Sequence, residues 1–509
     1  MPPLKTASPP PRFDPRRRRA VTAALVLVTA LASFESTVVS TAMPTIIGDL
    51  GGLPLYSWVF AIYLLTSTVM MPIYGRLADI YGRRRILLTG IGVFLSGAVA
   101  CAFARSMPQL IGARALQGLG AAGLVPVSLT VAADLYSLQE RARVQGIFSG
   151  VWGLAALVGP LMGAWMTVSF GWRSIFSINV PLGIVAIALV ATQMIESRAA
   201  RPGELDLAGS ATLGLGVTAL LFGVLHVPSA KAPGAAVRFA LFAVGAACLW
   251  AFARIQRRRK DPLVPPDLFK TWKTVAPYLS GVLLGTTIFG VDTFVPLFVQ
   301  GARGGTPGAA GAVITPLIFF WALSAAIGAR LIVRFGFRAS TRAGAITILV
   351  GLTGLFAGAL ADASVPWISA ACGLVGLGLG PCSIAQILAI QHVVPEERRG
   401  VATSLAPFFR TIGGSIGVGA LGGILSAGLS NRLGPLAESA GRLLSAQAAL
   451  SGPPPPIPLS VLGSAIERSL LPVFAILAAL SVLNVLLASR FPEKEDGHPV
   501  AGSEEVLAV

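Results

Sequence analysis

Two acidic residues lie inside long apolar stretches of this chain, where an ionisable group usually has a function. Glu35 stands in FESTVVSTAMP at residues 34–44, and Asp292 stands in FGVDTFVP at residues 289–296. A carboxylate in hydrocarbon costs at least about 2.5 kcal/mol, so each must face a cavity, pair or stay protonated. If its hydration changes between conformations, Glu35 can load and release a proton. The alternative is a carboxylate bonded permanently to polar neighbours on another helix.

Asp292 and an arginine, Arg114, complete this set of intramembrane charges. Asp292 has three candidate roles: contact with a cationic substrate, a second protonation site, or a carboxylate that is hydrated near the end of its helix. Arg114 occurs in RALQG at residues 114–118, and a buried guanidinium requires a carboxylate or carbonyl partner. It can stabilise the charged form of an internal acid, and it can clamp helices together. These two roles are compatible.

The elements that must position these residues are membrane-spanning helices. Of the 509 residues, 54% are hydrophobic and 12% are charged. The apolar residues fall into runs of the length that a helix needs to cross a bilayer. We predict an all-α membrane protein of about fourteen transmembrane helices, near residues 20–43, 56–75, 86–104, 108–133, 144–169, 172–195, 207–228, 237–254, 276–300, 309–333, 343–361, 366–391, 401–428 and 469–489.

Basic residues are concentrated in alternate short loops, and this sets the predicted orientation. The formal charge of +17 would suit a nucleic-acid-binding protein, but a positive excess confined to alternate loops is typical of the cytoplasmic side. The loop GRLADIYGRRR at residues 75–85 should therefore face the cytoplasm, together with both termini. We predict a multi-pass protein of the bacterial inner (plasma) membrane, with the lipid bilayer as a partner and no nucleic acid.

The sequence carries no pattern typical of an enzyme. Its four cysteines lie in apolar runs, without the spacing of a disulfide framework or a metal site. The run GLGLGP at residues 376–381 lies in a predicted span with no strand before it, which excludes a nucleotide-binding loop. We therefore predict no catalysis, no metal and no cofactor, with a proton gradient as the energy source.

A repeat divides the chain into two halves. GARLIVRFGFR at residues 328–338 is a weakened copy of the 75–85 loop, and it again follows the second span of a block of six. Such repeats are typical of secondary transporters, whose sites lie between the halves. We predict a basic tail (1–19), an N-terminal bundle (20–195), a linker with two extra helices (196–275), a C-terminal bundle (276–489) and a second tail (490–509). The insert at 429–468 should lie outside, as a spacer or a surface for an outer partner.

Small residues form one face of the fifth predicted span. Ala155, Gly159 and Gly163 recur every four positions, and Pro160 supplies a bend. Gly413 and Gly417 give the thirteenth span a comparable face. Two halves that rock against each other need such smooth surfaces, although ordinary close packing also explains them.

Several motifs together resemble the major facilitator superfamily, and specifically its fourteen-span drug:proton antiporter branch. The resemblance covers essentially the whole chain. It rests on the 75–85 loop, on RALQG in span four, on the Gly159-Pro160 helix of span five, and on WRSIFSINVPLG at residues 172–183. It implies a major facilitator fold, with two six-helix bundles and two inserted helices.

The resemblance also implies roles for the 75–85 loop as a conformational latch. Gly75 would permit close helix contact, Asp79 would cap a helix of the second half, and Arg83, which follows Gly82, would pair with Asp79 and with Asp134. The chain departs from the family pattern in two places. Glu35 stands where aspartate is usual, and alanines 155 and 164 stand where glycines are common.

We expect a proton-coupled exporter of small amphiphilic compounds that works by alternating access as a monomer. Glu35 and Arg114 would couple the proton, and Glu35 and Asp292 would contact substrate. Two alternatives remain open at this point. One is an exporter of lipids or an endogenous metabolite on the same fold. The other is a membrane sensor or scaffold without transport, which the cost of the intramembrane charges disfavours.

Overall fold

The computed structural model is almost entirely helical over the residues that it describes, which are 15–136, 138–195, 206–224, 235–259, 262, 264–434, 436 and 458–493. Its helices are α1 (Pro15–Leu50), α2 (Tyr56–Tyr81), α3 (Arg83–Ala102), α4 (Met107–Leu135), α5 (Leu138–Phe170), α6 (Ser174–Ser177), α7 (Asn179–Gln193), α8 (Leu207–Val224), α9 (Ala235–Arg258), α10 (Trp272–Leu297), α11 (Pro307–Leu360), α12 (Val365–Val393), α13 (Glu396–Leu433) and α14 (Leu459–Ala488).

The helices agree with an all-α membrane protein. Among the described residues, eleven helices are long and apolar enough to cross a membrane, or twelve when the bent α1 counts as one span. Two shorter apolar segments, Val158–Phe170 and Ala208–Leu220, coincide with the fifth and seventh predicted spans. The number of fourteen spans stays a prediction. The prediction of an all-helical membrane fold is confirmed.

Helix α1 is bent next to its acidic residue. Its segments Arg16–Glu35 and Val38–Leu50 meet at an angle of 44°. We call the end of the molecule that carries residues 75–85 the loop end, and the opposite end the far end. The first segment of α1 approaches the loop end and the second approaches the far end, so Glu35 lies at the bend between them.

The repeat seen in the sequence reappears as a repeated backbone geometry. Gly82 separates α2 from α3 with φ of 95°, and Gly336 breaks α11 with φ of 81°. Only glycine adopts such values without strain, so each half turns sharply at the same place. In both halves the arginine two residues later donates to a carbonyl at the end of the sixth span. Arg84 donates to Ala191 O, and Nε of Arg338 lies 2.6 Å from Phe491 O.

The two halves, α1–α7 and α10–α14, pack directly against each other towards the far end. Nε2 of Gln300 donates to Thr41 O at 3.0 Å, and a Cβ on Gly422 would lie 2.1 Å from Ser57. At the loop end, a Cβ on Gly75 would meet no described atom within 4 Å. The halves are therefore in close contact at the far end.

The inserted helices α8 and α9 lie beside the junction of the halves. Leu213 and Val217 of α8 share one buried apolar cluster with Trp58 of α2 and Leu405 of α13. Buried Asp206 precedes α8 and holds the pair together at the loop end. It accepts from Nε2 of Gln256 at 2.5 Å and from the backbone of Gly209 at 2.8 Å, and its Oδ1 lies 3.2 Å from Nε of Arg259.

The segment between the last two spans is shorter than the sequence indicated. Helix α13 continues to Leu433 and α14 begins at Leu459. Both ends of the predicted 429–468 insert are therefore helical. Residues 437–457 lie outside the described part of the chain, as do the tails at 1–14 and 494–509.

Candidate functional site

A buried ion pair between Glu35 and Arg114 forms the centre of the candidate site. Nη1 of Arg114 on α4 donates to Oε1 of Glu35 at the bend of α1, and both side chains are at most 2% exposed. Two opposite charges that are withdrawn from water must satisfy each other, because either one alone would carry a large desolvation cost. The pair therefore links α1 to α4 inside the N-terminal half.

Three further contacts fix the guanidinium of Arg114. Nη1 donates to Oε1 of Gln117 at 2.8 Å, and Nε donates to Val59 O at 3.4 Å. The ring of Tyr63 lies 4.1 Å from Cζ of Arg114, which is within cation–π distance. Because Val59 and Tyr63 both belong to α2, the guanidinium joins three helices. The structure therefore combines a charge partner for Glu35 with the helix clamp that a buried arginine predicts.

Asn179 supplies the second hydrogen bond to the carboxylate. Its Nδ2 donates to Oε2 of Glu35 at 2.8 Å, from the first residue of α7. Each oxygen of Glu35 thus accepts from a different helix. Asn179 lies in the motif at residues 172–183, but the motif alone predicts no role for it. The available signal was a carboxamide at the start of an apolar helix, which must find a buried partner.

The motif at residues 172–183 also binds α1 at Asp49, nearer the far end. Asp49 Oδ2 accepts from Nε1 of Trp172 and from Nη1 of Arg173, both at 2.9 Å. Residues 172–179 are consequently attached to α1 at Asp49, near the end of the far-end segment, and at Glu35, just before that segment begins. A movement of that segment must therefore involve α7.

Asp292 faces Glu35 from the other half of the protein. It lies on α10, is partly buried, and its Oδ1 accepts from Ser40 Oγ at 3.2 Å. The hydroxyl of Tyr56 donates to the carbonyl of the next residue, Thr293. Among the described residues, no basic side chain forms a salt bridge with Asp292.

A small cavity separates the two carboxylates. It has about 20 Å³ of space for water, and its walls come from both halves: Glu35, Val39, Phe60, Tyr63, Leu64, Arg114, Phe289, Asp292 and Thr293. This volume holds about one water molecule, whereas a drug-sized ligand needs about 300 Å³ or more. The described conformation is therefore closed around the acidic residues.

The small residues of α5 lie between α1 and the opposite half. A Cβ on Gly163 would lie 2.7 Å from Val38 O, and a Cβ on Gly311 of α11 would lie 2.8 Å from Pro160 O. Ala155 and Gly159 are buried on the same helix. A larger residue at position 163 would force α5 away from α1. In α13, Gly413 and Gly417 approach α10 in a similar way: a Cβ on Gly413 would lie 2.1 Å from Val282 O and one on Gly417 2.5 Å from Thr286.

The structure describes only some of the contacts of the predicted latch at residues 75–85. Nη1 of Arg83 donates to Thr130 O at 3.1 Å, one turn before Asp134 on α4. Gly82 makes the turn between α2 and α3. The side chains of Asp79 and Asp134 lie outside the described part of the structure. The pairing that the resemblance implies for them remains a prediction, as does close helix contact at Gly75.

A comparison with protein-family models identifies the family of this chain. The model of the Major Facilitator Superfamily matches residues 25–418. The chain belongs to the major facilitator superfamily. It is 33% identical over 417 residues to the multidrug transporter protein MdtP of Bacillus subtilis, covering 82% of this chain and 77% of that protein.

Other relatives within the superfamily have similar coverage. Multidrug resistance protein 3 of Bacillus subtilis is 30% identical over 410 residues, with 80% of each chain covered. The multidrug resistance protein Stp of Mycobacterium tuberculosis is 30% identical over 412 residues, covering 80% of this chain and 75% of that protein.

Solved structures share the major facilitator fold. A bacterial homologue of the human lysosomal transporter Spinster matches with a TM-score of 0.68 at 17% identity, covering 96% of this chain and all of that one. An autoinhibited peptide transporter of the POT family matches with a TM-score of 0.63 at 14% identity, covering 96% of this chain and 99% of that one. The protein is thus a multi-pass membrane transporter and not an enzyme, as the sequence predicted.

Proposed function

We propose that this major facilitator protein is a proton-coupled antiporter that exports amphiphilic compounds, among them organic cations. It would belong to the fourteen-span branch and lie in the bacterial plasma membrane, with its loop end in the cytoplasm. The observation that carries the proposal is the closed cavity in which Glu35, paired with Arg114, faces Asp292 of the other half. The names of the multidrug relatives support the class of substrate.

Glu35 is the proposed proton carrier because its partners respond to its charge. When a proton binds the carboxylate, the ion pair with Arg114 is lost, and the charged guanidinium then faces a neutral carboxyl group. The guanidinium keeps its contacts with Gln117 and with the carbonyl of Val59, so it remains in place. When the proton leaves, the pair re-forms. Arg114 thus favours release of the proton, which an exchanger needs at the end of each cycle.

The substrate would compete with the proton through the cavity that both halves line. Phe60, Tyr63 and Phe289 provide aromatic walls, and Asp292 provides a negative charge without a basic partner among the described residues. Aromatic faces and a carboxylate attract the same ligands, namely planar or quaternary cations. Because the closed cavity holds about one water molecule, a substrate can bind there only if the two halves move apart. Substrate binding is thereby coupled to the change of conformation.

Alternation would open one end as the other closes. Contacts such as those of Gln300 with Thr41 close the far end in this structure. In the opposite state they would break, and the loop around Gly75 and Arg83 would close the cytoplasmic end. The bend of α1 beside Glu35 places the titrating group at the point where the two segments of that helix meet.

Efflux of a cationic dye from proteoliposomes with an imposed pH gradient tests this function. Glu35→Gln should abolish proton-driven efflux and leave downhill exchange of substrate. Asp292→Asn should weaken efflux of cations more than efflux of a neutral amphiphile. Ser96→Ala is the control, because the exposed hydroxyl of Ser96 donates to Gly92 O at 2.9 Å within α3 and does not line the cavity. Full proton-driven efflux by Glu35→Gln would refute the mechanism.

A further inference from the structure

A second arginine inside a membrane span, Arg410, has no role in the proposed proton exchange. It lies in α13, within the apolar segment Leu405–Leu433. Arg410 is partly exposed, and among the described residues its guanidinium has neither an ion-pair partner nor a hydrogen-bond partner. Arg114, by contrast, is buried and paired with Glu35. A charge at this depth is costly, and such residues mark the path of a substrate or an ion.

The contacts of α13 show which way Arg410 points. Gly413 and Gly417 approach α10, which belongs to the same half. On another face of α13, Ser415 Oγ donates to Ala61 O of α2, in the other half, at 3.2 Å. At about 100° of rotation per residue, Arg410 lies on the sector between these two faces. It therefore points into the space between the halves.

Arg410 lies one helical turn from the wall of the central cavity. A Cβ on Gly414 would lie 2.2 Å from Cδ2 of Phe289, and Phe289 lines that cavity. Arg410 precedes Gly414 by one turn on the same face of α13, on the side of the loop end. A ligand in the space between the halves can therefore reach the guanidinium and the aromatic ring together.

The helices around Arg410 carry no acidic residue at its level. Gly413 packs at Val282 of α10, which runs parallel to α13, and in this register Asp292 lies about 20 Å further along the axes towards the far end. The charge of Arg410 must therefore be balanced by water or by an anionic ligand. The stretches at this level that lack an acidic residue are 62–71 of α2, 276–285 of α10, 379–390 of α12 and 478–488 of α14.

We propose that Arg410 binds the carboxylate of acidic amphiphiles on the loop-end side of the central cavity. The inference rests on the proposed export of amphiphiles and extends it from cations to compounds that carry a carboxylate. A guanidinium presents its donors as a rigid fork, which matches the two oxygens of a carboxylate. The ring of Phe289, one turn away, packs against the apolar body of the ligand. A carboxylate attached to an aromatic ring system fits this arrangement.

Binding of two matched dyes to the purified full-length protein tests the proposal. Rhodamine B carries a carboxylate, and its ethyl ester has the same fluorophore without that charge. Fluorescence anisotropy in neutral detergent measures both affinities. Arg410→Gln should weaken binding of rhodamine B about tenfold or more, which is the loss expected of a charge-assisted hydrogen bond, and should change binding of the ester less than about twofold. Saturable binding of the ester also shows that the variant is folded.

Two variants of α13 and one competitor are the controls. Arg432→Gln removes the same charge from an exposed position in the last turn of the helix, and should leave binding of both dyes unchanged. Arg410→Lys keeps the charge without the fork, and should recover part of the binding of rhodamine B. Benzoate, a small soluble carboxylate, should displace rhodamine B only weakly. Strong displacement by benzoate would show a site for small anions and would contradict the proposal.

Three further results would overturn the proposal. Equal weakening of both dyes by Arg410→Gln would mean that Arg410 acts on the conformation of the protein and not on the carboxylate. Unchanged binding of both dyes would mean that Arg410 is only hydrated, and absence of saturable rhodamine B binding to the wild type would exclude the site. Export is judged separately. If the wild type binds rhodamine B through Arg410 but shows no proton-driven efflux of the ester, the proposed function fails and the carboxylate site stands.

Discussion

Asn179→Leu removes one of the donors that hold the carboxylate of Glu35. Nδ2 of Asn179 lies 2.8 Å from Oε2 of Glu35, inside the protein. A hydrogen bond to a charged group contributes about 1.5–3 kcal/mol, and this bond favours the ionised carboxylate over the protonated one. Leucine has a similar volume and no donor, so the change removes the bond without leaving a large cavity. The protonated state should gain by up to that amount.

The shift is measurable as the pH dependence of transport. Proton release becomes harder, so the pH of half-maximal efflux in proteoliposomes should rise by about one to two units at 1.36 kcal/mol per unit. Ser177→Ala is the control, because the exposed hydroxyl of Ser177 donates only to Arg173 O, at 3.1 Å. A folded Asn179→Leu protein with an unchanged midpoint would refute the assigned role of Asn179.

The remaining predictions concern the ion pair and the small-residue face. Arg114→Met should lower the free energy of unfolding by about 3–5 kcal/mol, because it leaves the buried charge of Glu35 without a partner. A second change, Glu35→Leu, should restore much of the loss. Thermal unfolding followed by tryptophan fluorescence measures both effects, and a double variant less stable than Arg114→Met would contradict the pairing. Gly163→Val should cost about 1–3 kcal/mol through overpacking, because its Cβ would lie 2.7 Å from Val38 O, whereas Gly150→Ala meets no described atom within 4 Å and should be tolerated. Equal effects at the two glycines would contradict the packing of α5.

The helical fold and the intramembrane charges could be predicted from sequence because both depend on local composition. Runs of apolar residues identify spans without knowledge of their neighbours, and a charge within a run is visible at once. The repeat was also recognisable, because a glycine at a sharp turn leaves a trace in both halves. Gly82 and Gly336 retain it, although the residues around them have diverged.

The partners of those charges could not be predicted in the same way. The hydrogen bond from Asn179 to Glu35 joins residues 144 positions apart, and its existence depends on how α7 packs against α1. No proline lies between Glu35 and Val38, so the bend of α1 at that point could not be predicted from the sequence. The network of Asp206, Gln256 and Arg259 likewise forms only when α8 and α9 pair.

The predicted insert at 429–468 is longer than the segment between α13 and α14 for a related reason. Residues 459–468 include Glu467 and Arg468, which make the stretch look like a loop. In the structure Glu467 forms an ion pair with Arg303 at 3.1 Å, so α14 can begin at Leu459. A charge at the end of a span is tolerated where a partner on another element balances it.

Substrate-induced proton release from the purified protein tests whether Glu35 gives up its proton when substrate binds. A cationic substrate is added to the protein in weakly buffered detergent solution with a pH-sensitive dye, so that no gradient and no second compartment enter the measurement. We predict that substrate releases protons from the wild type, that Glu35→Gln releases none from this site, and that Glu35→Asp retains release. Equal release by wild type and Glu35→Gln would show that Glu35 does not carry the exchanged proton.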